Sequence, residues 1–266
     1  MKIGFIGTGN MGGAIIKGYL SSGAVTSSQI IAYDKDADKL ATLVRKTGVG
    51  IARDIQELVF SSEIVILAVK PQNYDEALIE VANAIKGGQI VVTMAAGVSM
   101  SYIESFLGSS SKVIRIMPNT PALVSEGMTA ICHNNNVSIS EFEKVMEIFW
   151  SVGKTASVDE SLMDTVVGVS GSSPAYVFMF IDAMAKCAVQ NGMKEEDARV
   201  FAAQSVLGAA KMVLETAEDP VILRRNVCSP GGATIEAVEV FQKLGLEDVI
   251  MQGMQAAIDK SRKMLK

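Results

Sequence analysis

Gly7, Gly9 and Gly12 stand in G-x-G-x-x-G spacing within "KIGFIGTGNMGGAIIKGYL". A short apolar run precedes them and a run of helical length follows, which makes them the turn between a strand and a helix. Each glycine has its own task. Gly7 allows the turn, Gly9 lets the backbone approach a pyrophosphate, and Gly12 lets the helix lie close to the strand. Free N–H groups at the helix start then meet the anion, so the chemistry to expect is that of a nicotinamide dinucleotide. A glycine-rich turn without a ligand is the competing reading.

Asp34 ends the second apolar run about twenty residues past the last glycine, where a carboxylate accepts hydrogen bonds from the adenosine ribose. That favours NADH, but Lys35 and Lys39 could form a basic lip for the 2′-phosphate of NADPH, and the choice stays open. Two further segments end strands at the carboxyl edge. They are "AVKPQ", with Lys70 and Pro71, and "MAAGV", with Ala95, Ala96 and Gly97. Small residues at the second admit a ribose or nicotinamide close to the backbone, and Lys70 can donate to a ribose hydroxyl; each is otherwise an ordinary strand-end loop.

In the second half, "NVCSPGGAT" (Asn226 to Thr234) joins turn residues to a helical run. It offers the N–H groups of Gly232, Ala233 and Thr234, with the Thr234 hydroxyl, to an anion such as a substrate carboxylate. A plain cap between two helices is the alternative. "GVSGSSPAYVF" places Ser170, Ser172, Ser173 and Pro174 as a helix N-terminus. The first lysine along that helix is Lys186, beyond the third turn, so the lysine needed to handle an alcohol proton is missing. His133, in a weak strand before "NNN", reads as a solvent-facing side chain. No metal-ligand cluster or nucleophile elbow is present.

The elements that must position these residues fall into two halves. From 1 to 157, β-rich apolar runs alternate with helical segments, with strands expected at 2–6, 29–33, 63–69, 89–94 and 113–117, and weaker ones near 128–132 and 155–158. Continuous apolar runs such as "EIVILAV" suit strands covered on both faces, hence a mainly parallel sheet. From 158 to 266 the pattern is helical throughout. Residues 175–189, "AYVFMFIDAMAKCAV", are apolar nearly all round and need cover on every side, which points to a dimer through these helices.

Composition narrows the partners. With 266 residues, 49% hydrophobic and 20% charged, the chain reads as a soluble, two-domain protein, and no apolar run is expected to reach the length that spans a bilayer. No secretory signal is apparent and the three cysteines lie far apart, so a cytoplasmic protein with reduced thiols is expected. A net charge of −5 without a basic run argues against nucleic acid.

Together, "GFIGTGNMGGAI", "AVKP", "AAGV", "MPNTP", "VSGSSPAYVF" and "LRRNVCSPGGATIEAVEVF" resemble the pyrroline-5-carboxylate reductases from end to end. These enzymes make L-proline by reducing the cyclic imine 1-pyrroline-5-carboxylate. The resemblance implies an α/β fold, a Rossmann-type mainly parallel sheet domain followed by an all-helical domain for substrate binding and dimerisation, with dimers assembled into a decamer. It places NADPH or NADH against Ile6, Gly7, Thr8, Gly9, Asn10 and Met11, Asp34 or Lys35, Ala68, Val69, Lys70 and Pro71, and Ala95 to Gly97. Substrate contacts fall on Glu160, Asn226, Ala233 and Thr234, with Ser172 and Asn119 nearby. Two departures stand out: many relatives have glycine at Ser173, and many that favour NADPH have serine or arginine at Asp34.

The mechanism expected has the amides of Gly232 and Ala233 and the Thr234 hydroxyl hold the substrate while hydride reaches the C=N carbon. Thr234 hydrogen-bonds the imine nitrogen, but a neutral alcohol is a poor net proton donor at pH 7, so an iminium protonated beforehand or a water relay fits better. The alternatives are a β-hydroxyacid dehydrogenase or other imine reductase, and a noncatalytic dinucleotide sensor.

Overall fold

The computed structural model describes residues 1–265 and divides into two compact units. One comprises Met1–Ser172 with the segment from Ala257 onward; the other is Ser173–Ala256. The division therefore falls later than the loss of strand pattern at 157/158, because a helical stretch after the last strand stays with the sheet and the C-terminal segment returns to it.

In the first unit the strands are β1 (Ile3–Ile6), β2 (Ile30–Tyr33), β3 (Gly50–Ile51), β4 (Ile64–Leu67), β5 (Ile90–Thr93), β6 (Lys112–Met117), β7 (Gly127–His133) and β8 (Gly153–Ser157). They form one sheet in the order β3-β2-β1-β4-β5-β6-β7-β8, parallel except between β6 and β7, where Ile116 faces Ile131. Helices α1 (Asn10–Ser21), α2 (Ala37–Thr47), α3 (Ile55–Phe60), α4 (Tyr74–Ala84), α5 (Met100–Leu107), α6 (Ile139–Trp150) and the short α7 (Met163–Val166) connect and follow them. β1, β4 and β5 are buried at every position, as strands covered on both faces must be. Side chains of one parity, such as Phe5, Ile66 and Val92, join α1 and α6 in one core; those of the other, such as Ile6, Leu67 and Val91, join α3 and α4. Ile3 pairs with Ile30 on one side and Ile64 on the other, so the strand order reverses at β1 and opens a crevice at its carboxyl end.

All seven strands read from the sequence are present within a residue or two; two-residue β3 is an addition. The helix start expected at Ser170–Pro174 is found at Ser173, where a helix with Pro174 in its first turn begins, but the backbone before it is helical too. Val167–Gly171 is a π-turn in which Ser172 N–H donates to Val167 O at 2.8 Å, and the helical run extends over 160–190. Pro174 has no N–H to offer the Ser170 carbonyl, which instead accepts from Asn119 Nδ2 at 3.0 Å. Contrary to the sequence expectation, that joined run is long and apolar enough to cross a membrane by length and composition alone.

The second unit holds α8 (Ser173–Gln190), α9 (Glu195–Thr216), α10 (Pro220–Asn226), α11 (Ala233–Lys243) and most of α12 (Leu246–Lys263). Its buried cluster consists of Ala185, Ala198 and Ala202, where small side chains let α8 and α9 approach. Phe178 and Phe201 are 63% and 65% exposed, and Met179, Leu207 and Leu214 are exposed too. Burying a large apolar side chain is worth about 1.5–3 kcal/mol, so these faces carry a large unspent driving force for association.

Candidate functional site

The crevice beside β1 is shaped by its glycines. Gly7 has φ +101°, and a Cβ there would lie 2.7 Å from Ala68 O; at Gly12 it would lie 2.4 Å from Gly7 O. Those two are required by the fold. Gly9 differs: a Cβ would meet nothing within 4 Å, and the glycine caps α1 without a side chain to satisfy the first-turn amides. No acidic residue stands in that first turn. Open space before unsatisfied N–H groups fits a pyrophosphate, so the residues present suit a dinucleotide.

A cleft of about 350 Å³ brings together Ile6, Gly7, Gly9, Asp34, Lys35, Lys39, Ala68, Val69 and Lys70, all singled out in the sequence, and adds Tyr33, Asp36 and Asn73. Asn10 and Thr8 line the neighbouring depression, Met11 is half-buried against the core, and Pro71 starts a single 3₁₀ turn. Asp34 Oδ2 accepts from Thr8 N at 2.6 Å and Thr8 Oγ1 at 2.8 Å, while Oδ1 accepts from Asp36 N at 2.9 Å. The carboxylate is thereby fixed to the glycine turn. Lys35 pairs with Glu76 on α4, and Lys39 Nζ lies 2.9 Å from Asp36 Oδ2.

Ala95, Ala96 and Gly97 follow β5. Gly97 has φ +74°, and a Cβ there would lie 2.6 Å from Met264 O, so close approach of the C-terminal segment requires this glycine. Beneath lies a residue the sequence reading missed. Tyr74 is fully buried; its hydroxyl donates to Leu67 O at 2.9 Å, accepts from Met94 N at 3.2 Å and meets Thr93 Oγ1 at 3.0 Å. It ties the ends of β4 and β5 together, and burial pushes its hydroxyl up to about 12. Its only sequence signal was an aromatic residue three places past the lysine-proline pair.

Other candidates are committed to the protein. Asn119 is buried, with Oδ1 accepting from Met128 N at 2.9 Å and Nδ2 donating to Ser170 O. It locks β7 and the π-turn. Glu160 Oε1 accepts from Met100 N at 2.7 Å and from Arg115 Nη1 at 3.0 Å, pairing a guanidinium that is 2% exposed. Ser172 is half-buried at the end of the π-turn.

In the second unit, Gly231 has φ +69° and Gly232 is the N-cap of α11. The Gly232 N–H donates to Ser229 O at 3.0 Å, which corrects its expected role as a free donor. A turn that reverses the chain this tightly consumes that amide, so the available donors begin one residue later, at Ala233, Thr234 and Ile235. Ala233, Thr234 and Asn226, the last residue of α10, are exposed.

His133 is half-buried rather than solvent-facing: its ring lies 4.6 Å from that of Phe142, and Nδ1 meets Asn134 O at 2.8 Å. Cys132, Cys187 and Cys228 are unpaired thiols, and burial pushes Cys132 up to about 12. Among the described residues no group of three or more His, Cys, Asp or Glu is placed to hold a metal ion.

Residues 160–264 match the family model described as pyrroline-5-carboxylate reductase dimerisation, and residues 2–97 match one described as NADP oxidoreductase, coenzyme F420-dependent. The pyrroline-5-carboxylate reductase of Escherichia coli K12 is 46% identical over 265 residues, covering 100% of this chain and 98% of that protein. A solved reductase of the same name from Coxiella burnetii is 33% identical with a TM-score of 0.93, covering 100% and 98% of the two chains. The pyrroline carboxylate reductase of Plasmodium falciparum, solved with NADP bound, is 28% identical with a TM-score of 0.91 over the same shares. With its Rossmann-type sheet, its helical dimerisation region and relatives matching along its whole length, the chain belongs to the pyrroline-5-carboxylate reductase family.

Proposed function

We propose that this chain reduces the C=N bond of 1-pyrroline-5-carboxylate to give L-proline, using NADPH or NADH. The observation that carries the reading is its 46% identity, over the full chain, to a reductase of that name. When bound, the reduced nicotinamide supplies the hydride that adds to the ring carbon of the imine. Gly9 to Met11 hold the pyrophosphate at the start of α1, and Ala68 to Lys70 with Ala95 to Gly97 form the wall beyond it.

The substrate carboxylate rests on the amides of Ala233 and Thr234. The glycine cap of α11 supports this assignment, because it leaves those N–H groups without a side-chain acceptor. The Thr234 hydroxyl accepts from, or donates to, the ring nitrogen and so fixes the face of the imine. One proton must join that nitrogen as hydride joins carbon. It arrives on an iminium already protonated or through water, since Thr234 does not give one up at pH 7. Orientation then supplies much of the acceleration.

We further propose a homodimer through the C-terminal helices, its dimers assembled into a decamer, working in the cytoplasm apart from membrane and nucleic acid. The uncovered Phe178, Met179 and Phe201 support association of the helical units, and a second copy satisfies the apolar run at 160–190 without a bilayer. A β-hydroxyacid dehydrogenase fits less well: Lys186 Nζ, the first lysine along α8, lies 2.6 Å from Asp182 Oδ2. Thr234→Val tests the substrate assignment. Turnover should fall at least about tenfold while NADH affinity stays within about twofold, and wild-type turnover would contradict it.

A further inference from the structure

We infer that Asp34 makes this reductase select NADH over NADPH, an inference that rests on the dinucleotide reading of the crevice beside β1. The selectivity lies in what Asp34 has left to offer. A carboxylate has about four acceptor sites, and three donors already occupy it: the Thr8 N–H, the Thr8 hydroxyl and the Asp36 N–H. Its remaining capacity suits a donor, and a ribose 2′-hydroxyl is one. A 2′-phosphate carries only acceptors and negative charge.

Nor can the side chain swing aside to make room. Thr8 is 7% exposed and sits inside the glycine turn, so the bonds that hold Asp34 also hold the loop facing the pyrophosphate. Rotating Asp34 away would leave a buried hydroxyl and an amide unpaired.

The basic residues nearest to a 2′-phosphate are occupied. Lys35 reaches from the end of β2 to Glu76 on α4, and Lys39 lies against Asp36, which also accepts from the Lys39 amide at 3.1 Å. Drawing either lysine to a phosphate exposes the carboxylate it leaves, so the local charge gains little. Lys70 also lines the cleft, but it follows β4, across β1 from Asp34. Repulsion between Asp34 and a 2′-phosphate should therefore make NADPH bind about tenfold or more weakly than NADH.

Direct titration of the purified protein with NADH and with NADPH, read by cofactor fluorescence, tests this without reference to turnover. Wild type should bind NADH at least tenfold more tightly. Asp34→Ser should lose most of that preference. Glu76→Gln, an exposed change that releases Lys35, should tighten NADPH severalfold and leave NADH unchanged. Equal or tighter binding of NADPH by wild type overturns the inference, as does an unchanged affinity ratio in Asp34→Ser. If Asp34→Ser does not fold, Glu76→Gln decides, and an unchanged ratio there overturns it. NADH-selective binding without turnover of pyrroline-5-carboxylate sustains this inference while overturning the proposed function, so the two failures are distinguishable.

Discussion

Replacing Gly9 and Gly12 by alanine, one at a time, separates a turn built around a ligand from one built only for packing. At Gly9 the added methyl meets no atom within 4 Å, and φ −63° with ψ −166° suits any residue. Alanine is the poorer N-cap but restricts the unfolded chain, so Gly9→Ala should stay within about 0.5 kcal/mol of wild-type stability. The methyl occupies the space before the α1 amides, and NADH and NADPH should both bind at least about tenfold more weakly. At Gly12 the same methyl falls 2.4 Å from the Gly7 carbonyl oxygen and 3.1 Å from Ala68 Cβ, against backbone that the strand holds in place. Overpacking costs about 1–3 kcal/mol, near the upper end for a clash with backbone, and helix propensity returns up to about 1, so Gly12→Ala should lose roughly 2–3 kcal/mol. Urea unfolding reads the stabilities and fluorescence titration the affinities. If Gly9→Ala keeps wild-type affinity, or unfolds as readily as Gly12→Ala, the turn is not a cofactor cradle.

Tyr74→Phe should cost about 1–2 kcal/mol in urea unfolding, because Leu67 O, Thr93 Oγ1 and Met94 N lose their shared buried partner; an unchanged midpoint would show that the strand ends do not depend on it. Glu141 supplies a pH test. Its hydrogen bonds to Lys112 Nζ and to Ser138 hold it from the usual 4.5 down to about 2. A depressed folded-state value gives stability that is present above about 4.5 and lost as pH falls towards about 2. Lys112→Met should therefore lower the urea midpoint at pH 7 and converge on wild type as pH approaches 2, and a gap independent of pH would contradict this.

What the sequence disclosed was whatever rests on local pattern. The strands of the first unit are apolar runs long enough to read, and the three glycines identify the crevice because their spacing follows from turn geometry alone. Two-residue β3 is too short to leave a pattern. Pro174 marks the start of α8, but the π-turn before it leaves no local pattern, because the Ser170 carbonyl that Pro174 cannot pair is satisfied by Asn119, a partner distant in the chain. Composition makes Gly232 a free donor, since it cannot show that Ser229 O takes its amide. Asp34 was legible as a carboxylate at the right place, but its Thr8 donors become visible only once the turn after β1 is folded beside the end of β2, and the Glu76 partner of Lys35 only once α4 is in place.

The most direct test mixes purified protein with 1-pyrroline-5-carboxylate and either NADH or NADPH, following the loss of reduced-nicotinamide absorbance and the appearance of proline. Oxidation of cofactor matched by an equal amount of L-proline, faster with NADH when both are subsaturating, is the expected result. Absence of proline with both cofactors would contradict the assigned reaction.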